Sequence, residues 1–390
     1  MTVRASDPPA IAGAQGWRDS WIGLRNRLIR NPRFQRWAAA SPFTRYIARR
    51  QARALFDLCA GFVYSQVLAA FVQLRLCDHL ADGPRSVEAL ARLTDLTPDA
   101  ASRLLRAAAS LGLARPMGED RYGLGDLGAA MISNPSVAAF IAHHALLYDD
   151  LRDPVALLRG QVETRLSGFW PYAGDRPQSP SAREPAPGDR DGYAAYSALM
   201  AQSQALVAQD ILEAWPMGRH RRLLDVGGGE GVFLAEAAAR NPHLDLQLFD
   251  LPPVAALAQA ALARRGLAHR VTCFGGSFLR DPLPCGADVI SLVRIVHDHD
   301  DESALALFRA VHAALPAGGT LLIGEPMAGT PGAEPIGDAY FGFYLLAMGR
   351  GRARRPDELK QLLRTAGFTG MRSLPTRRPL LAGALIAEKL

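Results

Sequence analysis

Short apolar runs that stop at glycine, proline or an acid alternate, in the second half of the chain, with stretches whose apolar positions recur every three or four residues. Leu223, Leu224 and Val226 flank Asp225; Gly227, Gly228, Gly229, Glu230 and Gly231 follow, then an alanine-rich run from Val232 to Arg240. That pattern predicts a strand, a tight turn and a helix. Residues 245 to 249 alternate apolar and polar positions and stop at Asp250, before Leu251 and a proline-opened helix. Residues 271–274, 287–293 and 320–323 read as further strands. Leu305, Phe308, Val311, His312 and Leu315 form a helical stripe between the last two. Strands alternating with helices predict an α/β domain over residues 216–390, with ligands outside the carboxyl ends of the strands.

The first half has a different rhythm. Residues 86 to 130 read as a helix capped by Ser86, a turn at Thr97-Pro98, a second helix over 99–112 and a short hairpin over 113–124, which is a winged-helix pattern. Its second helix carries only Arg103 and Arg106 as basic residues and is expected to be buried rather than to read DNA. A ligand-sensing winged-helix regulator stays as the reading from another class. Residues 55–76 are nearly all apolar, but Ser65, Gln66, Gln73 and Arg75 interrupt 60–76, which reads as too short and too polar to span a bilayer. The expected organisation is an arm over 1–50, a winged-helix-like domain over 51–150, a helical linker over 151–215 and the α/β domain after it. Within the linker, 171–192 is rich in Pro, Asp, Arg and Ser and precedes a helix over 193–214. It is either a lid or a disordered insertion.

Composition narrows the class. A chain of 390 residues, 49% hydrophobic and 21% charged, has room for two or three globular domains. Cys59, Cys77, Cys273 and Cys285 lack paired spacing, which points to a reducing, cytoplasmic setting without a disulfide framework. No apolar core of a signal peptide is evident. The net charge of +6 is localised: residues 1–53 hold eleven arginines against Asp7 and Asp19, or +9, and the remainder carries −3. Trp17, Trp21, Leu24 and Leu28 share a helical face, with Phe34 and Trp37 beyond Asn31-Pro32. Such an arm over 17–53 suits peripheral contact with an anionic inner membrane. A solvated, packed arm has the same pattern, and the residues do not choose between them.

The glycine turn serves two ligand classes. Dinucleotide sites use G-x-G-x-x-G, whereas Gly227, Gly229 and Gly231 give G-x-G-x-G with Val232 at the sixth position. The turn suits a cofactor without phosphate, whose amine and ribose carboxylates can bind. Asp250 lies 25 residues after Asp225, close to the roughly 20 expected of a ribose-binding acid; as a helix-cap acid it would look the same. Gly275-Gly276-Ser277-Phe278 falls at the next strand tip, where Phe278 or Leu279 would cover an adenine. His297, Asp298, His299, Asp300 and Asp301 carry metal-type donors, but sequence neighbours rarely converge on one ion, and no metal is expected. Asp300, Asp301 and Glu302 favour a helix start.

Asp225 with the G-x-G-x-G turn resembles motif I of class I S-adenosylmethionine (SAM)-dependent methyltransferases. Residues 288–326, an apolar strand, Arg294, His297-Asp298, Asp301-Glu302 and a strand ending at Glu325, resemble the plant-type O-methyltransferase family. The resemblance implies a Rossmann-like methyltransferase domain behind a mainly helical, winged-helix dimerisation domain, and hence a homodimer without nucleic-acid binding. It implies SAM as cofactor, held by Asp225, Gly227, Gly229, Asp250, Leu251, Ser277 and Phe278 with Arg294 nearby. His297 becomes the general base, Glu325 orients it, and Tyr340, Phe341, Tyr344 and Met348 line the pocket of a hydrophobic acceptor. An imidazole titrating near 6.5 suits that task. Two positions depart from the family: Ser277 stands where an acid is usual, and Ala353 stands where a second catalytic glutamate falls, leaving the base one carboxylate partner. Trp17-Arg18-Asp19, Phe34-Gln35-Arg36-Trp37, 54–58 and 61–68 resemble the bacterial carotenoid-type members, the hydroxyneurosporene and demethylspheroidene O-methyltransferases. That implies a tertiary hydroxyl of an acyclic carotenoid as acceptor, with a phenolic polyketide or other aromatic product as the alternative.

Overall fold

The computed structural model describes residues 12–169 and 204–390; the 171–192 loop and the first turns of the helix expected over 193–214 lie outside the described residues. The chain forms two compact units, Met1–Asp126 and Leu127–Leu390.

The first unit begins with helices α1 (Ala12–Arg30), α2 (Pro32–Ala40) and α3 (Arg45–Gln73). Asn31 separates the first two, its Oδ1 accepting from the Arg33 and Phe34 amides of a helix opened by Pro32. After α4 (Leu76–Ala81) come β1 (Arg85–Ser86), α5 (Val87–Thr94), α6 (Pro98–Ser110), β2 (Ala114–Pro116) and β3 (Arg121–Leu124). Ser86 and Thr97 cap α5 and α6 through their hydroxyls, and the strands form an antiparallel sheet in the order β1-β3-β2. Ala101, Leu105 and Ala108 of α6 are buried while Arg103 stays on the surface, paired with Asp99.

The stretch over 60–76, read as too short and too polar to span a bilayer, belongs to a longer helix: α3 runs 29 residues without interruption and, by length and composition alone, is long and apolar enough to cross a membrane. Ser65 closes its own hydroxyl onto the Phe62 carbonyl and leaves the helix intact. Leu55, Phe56, Leu58 and Phe62 are exposed in the single chain.

The second unit opens with α7 (Asp126–Ile132), α8 (Pro135–Asp150), α9 (Pro154–Leu158), α10 (Arg165–Phe169) and α11 (204–214). Then β4 (Arg222–Val226), α12 (Val232–Arg240), β5 (Asp245–Asp250), α13 (Pro252–Arg264), β6 (Val271–Gly275) and β7 (Val289–Val293) alternate. A 3-10 turn (Val296–Asp298), α14 (Asp301–Ala314) and β8 (Thr320–Glu325) follow. A wide π turn (Pro335–Tyr340) runs directly into α15 (Phe341–Met348), before α16 (Pro356–Thr365), β9 (Thr369–Leu374) and β10 (Gly383–Glu388).

Seven strands pair in the order β6-β5-β4-β7-β8-β10-β9. The first five are parallel, and β10 runs antiparallel to both neighbours. Alternation along each strand supplies two cores. Leu224, Val226, Ile290, Leu292, Leu321 and Ile323 pack with α14 and α16 on one face. Leu223, Leu246, Leu248, Val289 and Leu322 pack with α11, α12 and α13 on the other. The sheet order reverses between β4 and β7, so their carboxyl ends flank a crevice where no connection crosses.

Candidate active site

The crevice is built from three strand tips. After β4 the chain turns through Gly227, Gly229 and Gly231, all at positive φ. A Cβ on Gly227 would stand 2.5 Å from the Ile295 side chain, and one on Gly228 would stand 2.7 Å from Asp225 Oδ2. Both the conformation and the close approach therefore require glycine. Asp250 ends β5 above this turn. Its Oδ2 accepts from the Gly229 amide at 2.9 Å and its Oδ1 from the Leu251 amide at 2.7 Å. Asp225 lies beneath, with Ser291 Oγ donating to it at 2.6 Å. Burial pushes Asp225 up to about 7 and Asp250 up to about 6, against the hydrogen bonds that favour their ionised forms.

Gly227, Asp250, Leu251, Ser277 and Phe278 together line a cavity of about 490 Å³, counted to its open mouth. Gly229 and Asp225 are not among its lining residues; Gly229 is tied to the site through its amide bond to Asp250. The Ser277 amide is already bound by Asp281 Oδ2 at 2.8 Å. Arg294 is not among the lining residues. It adopts a left-handed φ of 59°, rare for a side-chain-bearing residue and costing roughly 1–2 kcal/mol. Its positive charge acts on His297, Asp298, Tyr340 and Tyr344 instead.

Sequence reasoning missed four lining residues, Phe249, Ile295, His299 and Arg350. His299 meets the edge of Phe278 with ring centroids 5.1 Å apart, and burial, with Arg350 nearby, pushes its pKa down to about 3. Its neighbour His297 was the only local signal. Arg350 follows α15 with no motif around it.

Beside the cavity, β7 runs into the 3-10 turn that carries His297. Glu325 ends the adjacent strand β8 and is wholly buried. Its Oε2 accepts from the His297 amide at 3.0 Å and lies 3.4 Å from Nδ1 of the same residue. Glu325 Oε1 is buried without a hydrogen-bond partner among the described residues, an arrangement that costs roughly 1–3 kcal/mol. On the opposite side Asp298 Oδ1 stands 3.3 Å from His297 Nε2. The expectation of a single carboxylate partner is thus corrected: with Ala353 in place of the second glutamate, Asp298 supplies a carboxylate from within the turn. Burial alone would lower the His297 pKa; Asp298 and Glu325 outweigh it and leave the imidazole above its ordinary value. Among the described residues no three His, Cys, Asp or Glu side chains converge as a metal ion would require.

An aromatic wall faces the base. Phe341 meets His297 edge-on, centroids 5.9 Å apart, and Tyr340, Phe341 and Tyr344 form one cluster. Their polar tips are taken by successive histidines of α8: the Tyr344 hydroxyl lies 2.9 Å from His143 Nε2, and the Tyr340 hydroxyl 2.7 Å from His144 Nε2. Burial, with His143 beside it, pushes His144 down to about 4, so it stays neutral at physiological pH. Met348 packs into the core with Leu147, Leu157, Leu166 and Leu345.

A parallel sheet with one reversed strand, a glycine turn under a strand-tip carboxylate and a buried His–Glu pair beside it belong together in one protein class. The chain is a member of the O-methyltransferase family. The family described as O-methyltransferase domain matches residues 148–369, and the O-methyltransferase dimerisation domain matches residues 56–134, which supports a homodimer. The chain is 44% identical to the demethylspheroidene O-methyltransferase of Cereibacter sphaeroides over 99% of both chains. It is 41% identical to that of Rhodobacter capsulatus, over 98% of this chain and 93% of the other. A methyltransferase of calicheamicin biosynthesis, solved with S-adenosylhomocysteine, matches with a TM-score of 0.73 and 26% identity over 87% of this chain and 98% of that one. Human N-acetylserotonin methyltransferase in complex with SAM shares the fold, with a TM-score of 0.71 over 87% and 97% of the two chains. The protein is a SAM-dependent O-methyltransferase.

Proposed function

We propose that the chain methylates a hydroxyl at the end of an acyclic carotenoid, of the demethylspheroidene or hydroxyneurosporene type. The observation that carries this reading is the wall of Tyr340, Phe341 and Tyr344 beside His297. Its hydroxyls are paired with His143 and His144, so it offers an acceptor apolar surface and little else. The two bacterial relatives that match over nearly the full chain bear the name of such an activity.

In this reading Asp250 binds the ribose of SAM, Asp225 and the Gly227–Gly229 turn support its amino-acid end, and Leu251, Ser277 and Phe278 surround the adenine. Arg294 places positive charge near the reacting groups. The acceptor oxygen attacks the methyl carbon, the carbon–sulfur bond breaks, and sulfur leaves as a neutral thioether. The hydroxyl proton passes to His297, which Glu325 orients. A tertiary alcohol is too weak an acid to ionise first, so its proton leaves as the new bond forms. The raised basicity of His297 between two carboxylates suits that demand. Alignment supplies much of the remaining rate. The chain acts as a homodimer, the exposed face of α3 meeting its equivalent, and the arm over 17–53 rests on an anionic membrane that holds the acceptor.

Labelled SAM offered with hydroxylated acyclic carotenoids and with phenolic polyketides tests the reading. Turnover is expected on the carotenoids, and His297→Ala should lower it by at least 10²-fold while SAM still binds. Turnover confined to phenols would replace the acceptor, and an undiminished His297→Ala enzyme would remove the base.

A further inference from the structure

Among the described residues of the second unit, Arg354 is the largest side chain that is wholly buried. Its guanidinium makes three hydrogen bonds with short, matched geometry. Nη1 donates to the Val296 carbonyl at 2.9 Å, Nη2 to the His299 carbonyl at 2.7 Å, and Nε to Asp301 Oδ1 at 2.8 Å. The two carbonyls bracket the turn that carries His297. The Arg354 backbone carbonyl in turn accepts from the Ala328 amide at 3.0 Å, just past the end of β8 and Glu325. One residue therefore ties the turn of His297 to the strand exit of Glu325. The chain leading to it lies flush against the same turn: a Cβ on Gly351, at a φ of 80°, would come within 2.1 Å of the His297 carbonyl oxygen.

A wholly buried cation is costly unless its donors are met. This guanidinium is met by two main-chain carbonyls and a carboxylate that Arg352 also holds, at 3.0 Å. The planar fork of arginine fits two carbonyls on one turn; the point charge of lysine does not. Neither Val296 nor His299 presents a side chain to the reaction through these bonds, so what they fix is the position of the backbone between them.

We infer that Arg354 is a positioning residue for the methyl transfer, clamping the His297 turn against Glu325 in a protein whose second family glutamate is replaced by Ala353. This rests on the base role of His297 proposed above. The groups facing that imidazole are Asp298 on its own turn, Glu325 from β8 and Arg294 from the end of β7. If the turn slackens, Glu325 is the partner that His297 loses, and the acid limb of its pH–rate profile must move to lower pH.

Arg354→Lys and Asp301→Asn, measured in the full-length enzyme, test the clamp. Arg354→Lys is expected to lower kcat by about 10²-fold, the scale of an ångström-sized misplacement. Its SAM dissociation constant should be unchanged and its acid limb displaced downwards. Asp301 is half-exposed, so Asp301→Asn folds even where Arg354→Lys does not, and it should lower kcat several-fold with the same displacement. Unshifted limbs with wild-type kcat in the folded variants would overturn the clamp, as would losses matched by equal loss of SAM binding. His297→Ala separates the two ideas: if it abolishes turnover while the clamp variants are normal, the base stands and only the role of Arg354 falls.

Discussion

Asp298 touches His297 on the nitrogen opposite Glu325, and its effect on the imidazole can be read directly. A general base works only when deprotonated. Two carboxylates raise the His297 pKa above its usual 6.5, so kcat should climb with pH on the alkaline side of that value. Asp298→Asn removes one carboxylate and should carry the limb to lower pH, by roughly one unit for each 1.4 kcal/mol of lost interaction. A pH–rate profile of the two enzymes checks this, and an unmoved limb would show that Asp298 does not act on the base. Residues of this kind were only partly legible. The positions of His297 and Glu325 could be read from the apolar runs they follow or end, but their roles rest on the resemblance to the O-methyltransferase family. The contribution of Asp298 could not be read, because a side chain one position along reaches the same imidazole only if the backbone tightens into a 3-10 turn. Arg354 was opaque for a related reason: in sequence it sits among Arg350, Arg352 and Arg355, and burial alone tells it apart.

The strand tips were the most legible elements. A strand of five or six residues ending at a fixed acid leaves little choice of where that acid points. Asp225 and Asp250 accordingly fall at the switch point together, with Gly227, Leu251, Ser277 and Phe278 around the same cavity. Burial at those tips has a measurable result. Near pH 5 both carboxyls hold protons and accept poorly; they ionise as pH passes about 6 and about 7. SAM brings an ammonium group and ribose hydroxyls, so its affinity should rise over that interval. It should weaken about tenfold for each unit below the Asp250 value if that proton alone must leave. Calorimetry at pH 5 and pH 7.5 settles the sign, and a flat profile would mean that the tips do not contact the cofactor. The helix proposed to line the acceptor was harder to read. Its run of apolar residues suits pocket and core alike: Phe341 meets His297, while Met348 packs with Leu147, Leu157, Leu166 and Leu345.

Over the whole molecule, net positive charge and exposed apolar surface gather in the N-terminal part of the chain. The arginines concentrate in the first 53 residues, where Trp17, Trp21, Leu24 and Trp37 are exposed. α3 is roughly 43 Å long at 1.5 Å per residue, and its exposed Leu55, Phe56, Leu58 and Phe62 fall where the dimerisation domain begins. Exposed apolar surface of that extent marks an interface. A helix over 55–76 supplying the dimer was legible from its near-continuous apolar run; its extension back to Arg45 was not, because the stretch before Leu55 is rich in arginine. If α3 pairs with the second protomer and the arm rests on lipid, as proposed above, the Trp17→Ala/Trp21→Ala enzyme should remain a dimer in solution. It should also sediment several-fold less with anionic vesicles, and added salt should weaken both proteins on them. Equal sedimentation of variant and wild type would remove the membrane from the account.

The paired hydroxyls of Tyr340 and Tyr344 carry one last consequence. In the proposed acceptor pocket, where those hydroxyls are already bound to His143 and His144, a guest would be recognised by contour, much as by a mould. Resizing a single ring there, with no new charge, should then redirect turnover to a guest of another girth.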